Sequence, residues 1–215
     1  RAVARMLFAE SALEGSGGTL LRVDWDRSAG FERVAEPYVT LGGVRIEPRT
    51  HARHDVSGGY GIRTCVAGYR LVDVETRKER KVALPAKGCV GGAAWSPDGK
   101  RFAFDTTVDD HVQLWVGDVE SGQVRQIQGV RLNTILGDTL QWAGGSARLL
   151  VKALPANLGP APKQSPAVAG PKISEAIAGK GESSTYEARD TLGNPYDEAL
   201  FDHYVTTQLV RVDLP

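Results

Sequence analysis

AAWSPDGKRFAF, residues Ala93 to Phe104, decides how the rest of the chain is read. A tryptophan opens a short strand. Ser-Pro-Asp-Gly then turns the chain. Arg-Phe-Ala-Phe begins a second strand. Such a hairpin is either part of an ordinary sheet or one unit of a repeating array, and self-similarity separates the two.

The repeat is present. LQWAGGSARLLV, Leu140 to Val151, places Trp142 six residues before Arg148, as Trp95 stands six before Arg101; the two tryptophans are 47 apart. A second hairpin type recurs as well. VGDVESGQVRQI (Val116 to Ile127) resembles LVDVETRKERKV (Leu71 to Val82), with Asp73 and Asp118 separated by 45. RVDWDRSAGFERV (Arg22 to Val34) places Asp24 49 residues before Asp73, and QLVRVDL (Gln208 to Leu214) places Asp213 95 after Asp118. Several short strands per period of about 40–50 residues are the signature of β-propeller blades. The expected fold is therefore all-β. It is a partial β-propeller of four-stranded antiparallel blades over approximately 5–36, 41–85, 93–128 and 140–215. Strands are expected through most of 60–84, 93–128 and 140–154, with Trp95 and Trp142 at equivalent positions.

The last blade is irregular. Trp95 precedes Asp118 by 23 residues, but Trp142 precedes Asp213 by 71. The excess implies an insertion of about 48 residues, at approximately 155–202, found by the repeat argument. Its first half is rich in Pro, Ala and Gly and unsuited to a core strand. Its second half, NPYDEALFDHY, predicts a helix. Asn194 can cap it, Pro195 suits the first turn, and Asp197 and Glu198 complement the positive end of the helix dipole. Leu200, Phe201 and Tyr204 would share a face.

Composition narrows the function. Lys+Arg and Asp+Glu are both 26, so no basic surplus points to nucleic acid. The chain is 41% hydrophobic, with 25 glycines and one methionine, which favours tight turns over long helices. There is no apolar run of membrane-span length and no signal-peptide core. Cys65 and Cys89 form no metal-type pair and by themselves decide no redox compartment. The chain starts at Arg1, and an excerpt from a longer protein is expected.

Catalytic motifs are absent. There is no G-x-S-x-G, no P-loop and no dinucleotide fingerprint. His51 and His54 form H-x-x-H, but the segment reads as a solvated loop. Asp109, Asp110 and His111 read as an acidic turn between strands. His203, beside Asp202 and Tyr204, reads as a surface or packing histidine. Neither a metal nor a cofactor is expected.

WSPDGKRFAF followed by a D-V-x-[ST]-G hairpin resembles the propeller of the prolyl oligopeptidase family of serine peptidases. LGGVRIEPRTHAR (Leu41 to Arg53), LQWAGGSARLLVKALP (Leu140 to Pro155) and the stretch from Gly170 to Leu214 containing NPYDEALFDHY resemble its glutamyl endopeptidase branch. The likeness runs from Leu41 to the end of the chain. It implies a gating and substrate-selecting propeller acting on peptides. Its partner would be a C-terminal α/β-hydrolase domain that carries the Ser, Asp and His outside this chain. It also implies a periplasmic or secreted setting and a preference for acidic residues. Such a preference needs a fixed cation, best an arginine for its bidentate fork; Arg63, Arg70 and Arg131, in or near strands, are the candidates. The alternatives are a non-enzymatic propeller scaffold for protein binding and a periplasmic propeller of envelope assembly.

Overall fold

The computed structural model describes residues 13–16, 18–26, 31–55, 63–164 and 192–215. Residues 5–12 of the expected first blade and 165–191 of the expected insertion lie outside the described residues.

The middle of the chain folds as the hairpin patterns require. Strands β8 (Cys89–Trp95), β9 (Arg101–Thr107), β10 (Val112–Asp118) and β11 (Val124–Leu132) form an antiparallel meander. The Ser96–Gly99 turn is self-contained. The Arg101 amide donates to Ser96 Oγ at 2.9 Å, Ser96 Oγ donates to Asp98 Oδ1 at 2.6 Å, and Gly99 takes φ 67°.

The next hairpin repeats this register. In β12 (Leu140–Ala143) and β13 (Arg148–Ala153), Trp142 pairs with Leu149, as Trp95 pairs with Phe102 in β8 and β9. Both tryptophans thus stand seven residues before their partners. The third strand continues the correspondence. Arg101 pairs with Asp118, and Arg148 pairs with Asp213 of β14 (Gln208–Asp213). The offset between the two sets is 47 for the first two strands and 95 for the third. The inserted 48 residues therefore enter between the second and third strands.

The first sheet corrects the expected boundaries. Strands β1 (Leu13–Ser16) and β2 (Thr19–Trp25) join β6 (Val66–Asp73) and β7 (Glu79–Lys81) in the order β1-β2-β6-β7. One sheet thus draws strands from both 5–36 and 41–85. The 24/73 match fails for the same reason, since Asp24 and Asp73 lie on paired neighbouring strands. The 73/118 match holds atom by atom. Asp73 Oδ1 accepts from the Thr76 amide and hydroxyl, both at 2.7 Å, and Asp118 Oδ1 accepts from those of Ser121, both at 2.7 Å. The left-handed turn residue is Arg77 (φ 59°) in one and Gly122 (φ 72°) in the other.

What lies between β2 and β6 is the other excursion. It holds a short helix, α1 (Phe31–Val34), and a small sheet of β3 (Val39–Leu41), β4 (Val44–Glu47) and β5 (Ala52–Arg53). Helix α2 (Pro195–Val205), from the later insertion, packs on that small sheet. Leu200 and Tyr204 share a core with Leu41, Val44, Ile46 and Ile135, and Phe201 lies over Gly42. The helix starts as its sequence predicts, with Asn194 Oδ1 accepting from the Asp197 amide at 3.0 Å.

The sheets stack face to face. Phe102 and Phe104 of β9 pack toward Leu21, Tyr69 and Leu71 of the first sheet. Ala103, between them, points the other way, toward Leu149, Val151 and Val212. The period-2 alternation of strands thus buries both faces of β9. No helix among the described residues is long and apolar enough to cross a membrane.

Candidate functional site

A cavity of about 550 Å³ opens between the first strands of the two matching hairpins, β8 and β12. A bulge sets it up. The β8–β9 register shifts between Val90 and Ala93, at Gly91 and Gly92. Bulges re-aim side chains and bend the strand. Here glycine is required, because a Cβ on Gly91 would collide with the Asp105 carboxylate and the Arg63 guanidinium. Tyr69 Oη donates to the Gly91 carbonyl and pins the bulge from the first sheet.

Two ion pairs line the cavity. Arg63 Nη2 donates to Asp105 Oδ2 at 2.6 Å, and Arg53 Nε donates to Asp55 Oδ1 at 2.8 Å. The Asp105 charge raises the pKa of Arg63 above its ordinary value, with burial opposing. Arg63 is therefore a fixed cation held in one orientation. Thr134, Asp138 and Thr139, on the connection into β12, complete the polar wall.

Behind this wall lies a buried polar cluster that was not foreseen. Glu47 and His54 are only 2% and 1% exposed. Glu47 accepts from Arg33 Nη1 and, at 3.2 Å, from Thr50 Oγ1. His54 Nδ1 lies 3.0 Å from Glu47 Oε1, and its ring stacks on Tyr38 with centroids 4.6 Å apart. The solvated-loop reading of H-x-x-H is thus wrong for His54, because the β4–β5 hairpin turns it inward against Glu47. His51 occupies the turn itself at φ 55°.

The three candidate arginines are not brought together; each lines a different cavity. Arg63 stands between β8 and β12 as described. Arg70 sits on the open face of the first sheet between Asp24 (2.9 Å) and Glu79 (3.2 Å). Arg131, near the end of β11, donates to the Asp110 carbonyl at 2.9 Å. Asp110 in turn holds His111 Nδ1 at 2.6 Å, and this bond lowers the carboxylate pKa. The acidic turn thus folds onto its own histidine.

Cys65 and Cys89 form a disulfide, although their spacing matches no recognisable pairing pattern. It ties the residue before β6 to the first residue of β8, beside the cavity. The available signal was positional: each cysteine stands at the start of a similar stretch, CVAG and CVGG, at or just before a strand.

No protein-family profile matches the chain. A rice (Oryza sativa subsp. japonica) protein named "Probable glutamyl endopeptidase, chloroplastic" is 35% identical over 190 residues, covering 82% of this chain and 19% of its own length. The protein of the same name from Arabidopsis thaliana is 33% identical over 193 residues, covering 84% of this chain and 19% of its own. The chain thus spans about a fifth of the curated relatives it matches, and those relatives are named as peptidases. Among solved structures, a putative dipeptidyl aminopeptidase IV from Bacteroides ovatus aligns with 66% of this chain and 20% of its own, at 13% identity and a TM-score of 0.36.

Proposed function

We propose that this chain is the propeller part of a serine peptidase, gating and selecting peptide substrates for a hydrolase domain outside it. The observation that carries this reading is the 35% identity, over 82% of the chain, to a relative named as a glutamyl endopeptidase. The repeated register supports the propeller: each meander, stacked on the next, is a blade. The blades are 13–25 with 66–81, then 89–132, then 140–153 with 208–213. A blade cannot bury its faces alone, so stacked neighbours surround an axis. The first strands β8 and β12 lie nearest that axis, and the cavity between them opens onto it.

In this reading Arg63 is the selecting cation. Asp105 holds it in place, and a substrate carboxylate would take the remaining donors of the fork. Arg53, in the same wall, is neutralised by Asp55 and plays no part in the selection. Arg70 is already shared by two carboxylates and is dropped from this role. The Cys65–Cys89 disulfide supports a non-reducing compartment.

The test uses the full-length protein that contains this chain. It should label with a serine-directed fluorophosphonate and cleave peptides. Arg63→Gln should raise KM for a Glu-containing peptide about tenfold or more, the scale of one charge-assisted contact. Its Gln-containing counterpart should be nearly unaffected. Absence of labelling and of cleavage would favour the scaffold reading, and equal loss on both peptides would remove Arg63 from selection.

A further inference from the structure

A second cavity, of about 430 Å³, lies where the two inserted segments meet the sheets. Arg49 and His51 enter it from the β4–β5 turn, Arg131 from β11, His203 from α2 and Gln208 from β14. Val130, Val210 and residues of the stretch 153–158 complete its described wall, which among the described residues contains no aspartate or glutamate. Gly129 and Gly159 line it too, and a Cβ on either would meet nothing within 4 Å, so the space is open.

Of the nearby acids, one is paired with a cation of the wall and two are turned to other partners. Glu36 pairs with Arg49 at 2.9 Å from outside the wall. Asp110 offers Arg131 its carbonyl and gives its carboxylate to His111. Asp202, next to His203, is exposed, and its carbonyl accepts the Thr206 amide that caps α2. Arg131, His51 and His203 therefore stand together, with Arg49 at the rim sharing its charge with Glu36. The His51 and His203 rings are 5.8 Å apart. Burial lowers the pKa of His51, the Tyr204 backbone opposes this, and the charges of His203 and Arg131 lower it further. Burial also lowers that of His203. Two guanidiniums that never deprotonate, beside two imidazoles, repel a metal cation and attract an anion.

We propose that this cavity is an oxyanion site, in which Arg49, Arg131 and His203 hold a phosphate-type or carboxylate group. It is separate from the β8–β12 cavity and does not depend on the peptidase reading. The guanidiniums supply the charge at neutral pH, and the imidazoles add to it as they protonate. Anion affinity therefore rises as pH falls.

Calorimetric titration of the full-length protein with sulfate, and separately with glutarate, at pH 8 and pH 6 tests this. One saturable site is expected, tighter at pH 6 by roughly threefold or more, as one added charge in a solvated pocket would give. Tighter sulfate identifies a phosphate-type ligand; tighter glutarate identifies a carboxylate. Arg131→Gln should weaken binding about tenfold. Arg49→Gln, at a side chain 62% exposed, leaves the fold intact and should weaken it severalfold. The absence of saturable binding by either anion at pH 6, or binding unchanged in both variants, overturns the proposal.

Discussion

The matching hairpins β8–β9 and β12–β13 repeat the same register 47 residues apart, whereas the two inserted segments share no pattern and yet pack on each other. Both insertions enter between the second and third strands of a meander, 26–65 in the first sheet and 154–207 in β12–β14, which shares one seven-stranded sheet with β8–β11 through the pairing of Leu132 with Ala153. The meander between them turns directly, from Thr107 to Val112. The hairpins are specified locally, by turns that satisfy their own backbone groups. The insertions are specified mutually: Leu41, Val44 and Ile46 share their core with Leu200 and Tyr204, about 150 residues along the chain, and with Ile135. Repetition therefore marks the scaffold, and the interruptions bring charged side chains to both cavities, Arg53 and Arg63 to one and Arg49, His51 and His203 to the other.

Four measurements sharpen or break this contrast. The largest effect is expected in the repeated core. Phe102 is fully buried, contacts Tyr69, Trp95 and Phe104, and lies where a Gly117 side chain would stand. Phe102→Ala should cost about 3–5 kcal/mol, and Leu149→Ala, its counterpart one repeat on, about 2–5. A shift in the urea midpoint for one and not the other would show that the registers match but the packing does not.

Next comes the disulfide, which closes a loop of sequence separation 24 around β6 and β7. Cys65→Ser with Cys89→Ser should lower stability by about 3 kcal/mol on the chain-entropy account. Thermal unfolding with and without reductant gives the same comparison. No change on reduction would mean that Tyr69 and the stacked faces already fix the first sheet to the second.

Leu200→Ala should cost about 2–3 kcal/mol, toward the lower end for a buried leucine, because its site lies at the edge of the fold. The loss should be local. Hydrogen exchange should accelerate in β3–β5 and α2 together, with β8–β11 unchanged. Acceleration in α2 alone would show that the small sheet does not depend on it.

The smallest effect is a parting of the two regions on acidification. His51 and His203 have pKa values below the ordinary histidine value, so the native insertions bind fewer protons than the unfolded chain. Their stabilisation is present above about pH 6.5 and declines as pH falls below it. Asp73, Asp98 and Asp118, in the turns of the repeats, have lowered pKa values through hydrogen bonds from Thr76, Ser96 and Ser121. Their contribution persists to about pH 4 and declines only as pH falls further. Hydrogen exchange at pH 7, 5.5 and 4 should loosen the insertions first. Simultaneous loosening would tie the two regions into one cooperative unit.

The hairpins were legible because their signals are short-range. Ser96 to Gly99 and Asp118 to Gly122 each close a turn with their own hydroxyl and carboxylate groups, so five residues suffice to recognise them. Helix α2 was legible for the same reason, through Asn194, Pro195 and Asp197. Of the candidate site, Arg63 was named from its residue type and its place near a strand. Its partner Asp105, 42 residues away, could not be read from the sequence.

Strand partnership was not legible where the chain leaves a sheet and returns. The pairing of β2 with β6 is set by the faces of Leu21, Val23, Tyr69 and Leu71 closing on Phe102 and Phe104, and a spacing of 49 imitated a repeat that is not there. The inward turn of His54 onto Glu47, the union of Cys65 with Cys89 and the gathering of Arg49, His51, Arg131 and His203 share this character. Local composition determined which segments turn and which extend. Burial of apolar faces, which is non-directional and acts between segments distant in sequence, decided which of them meet.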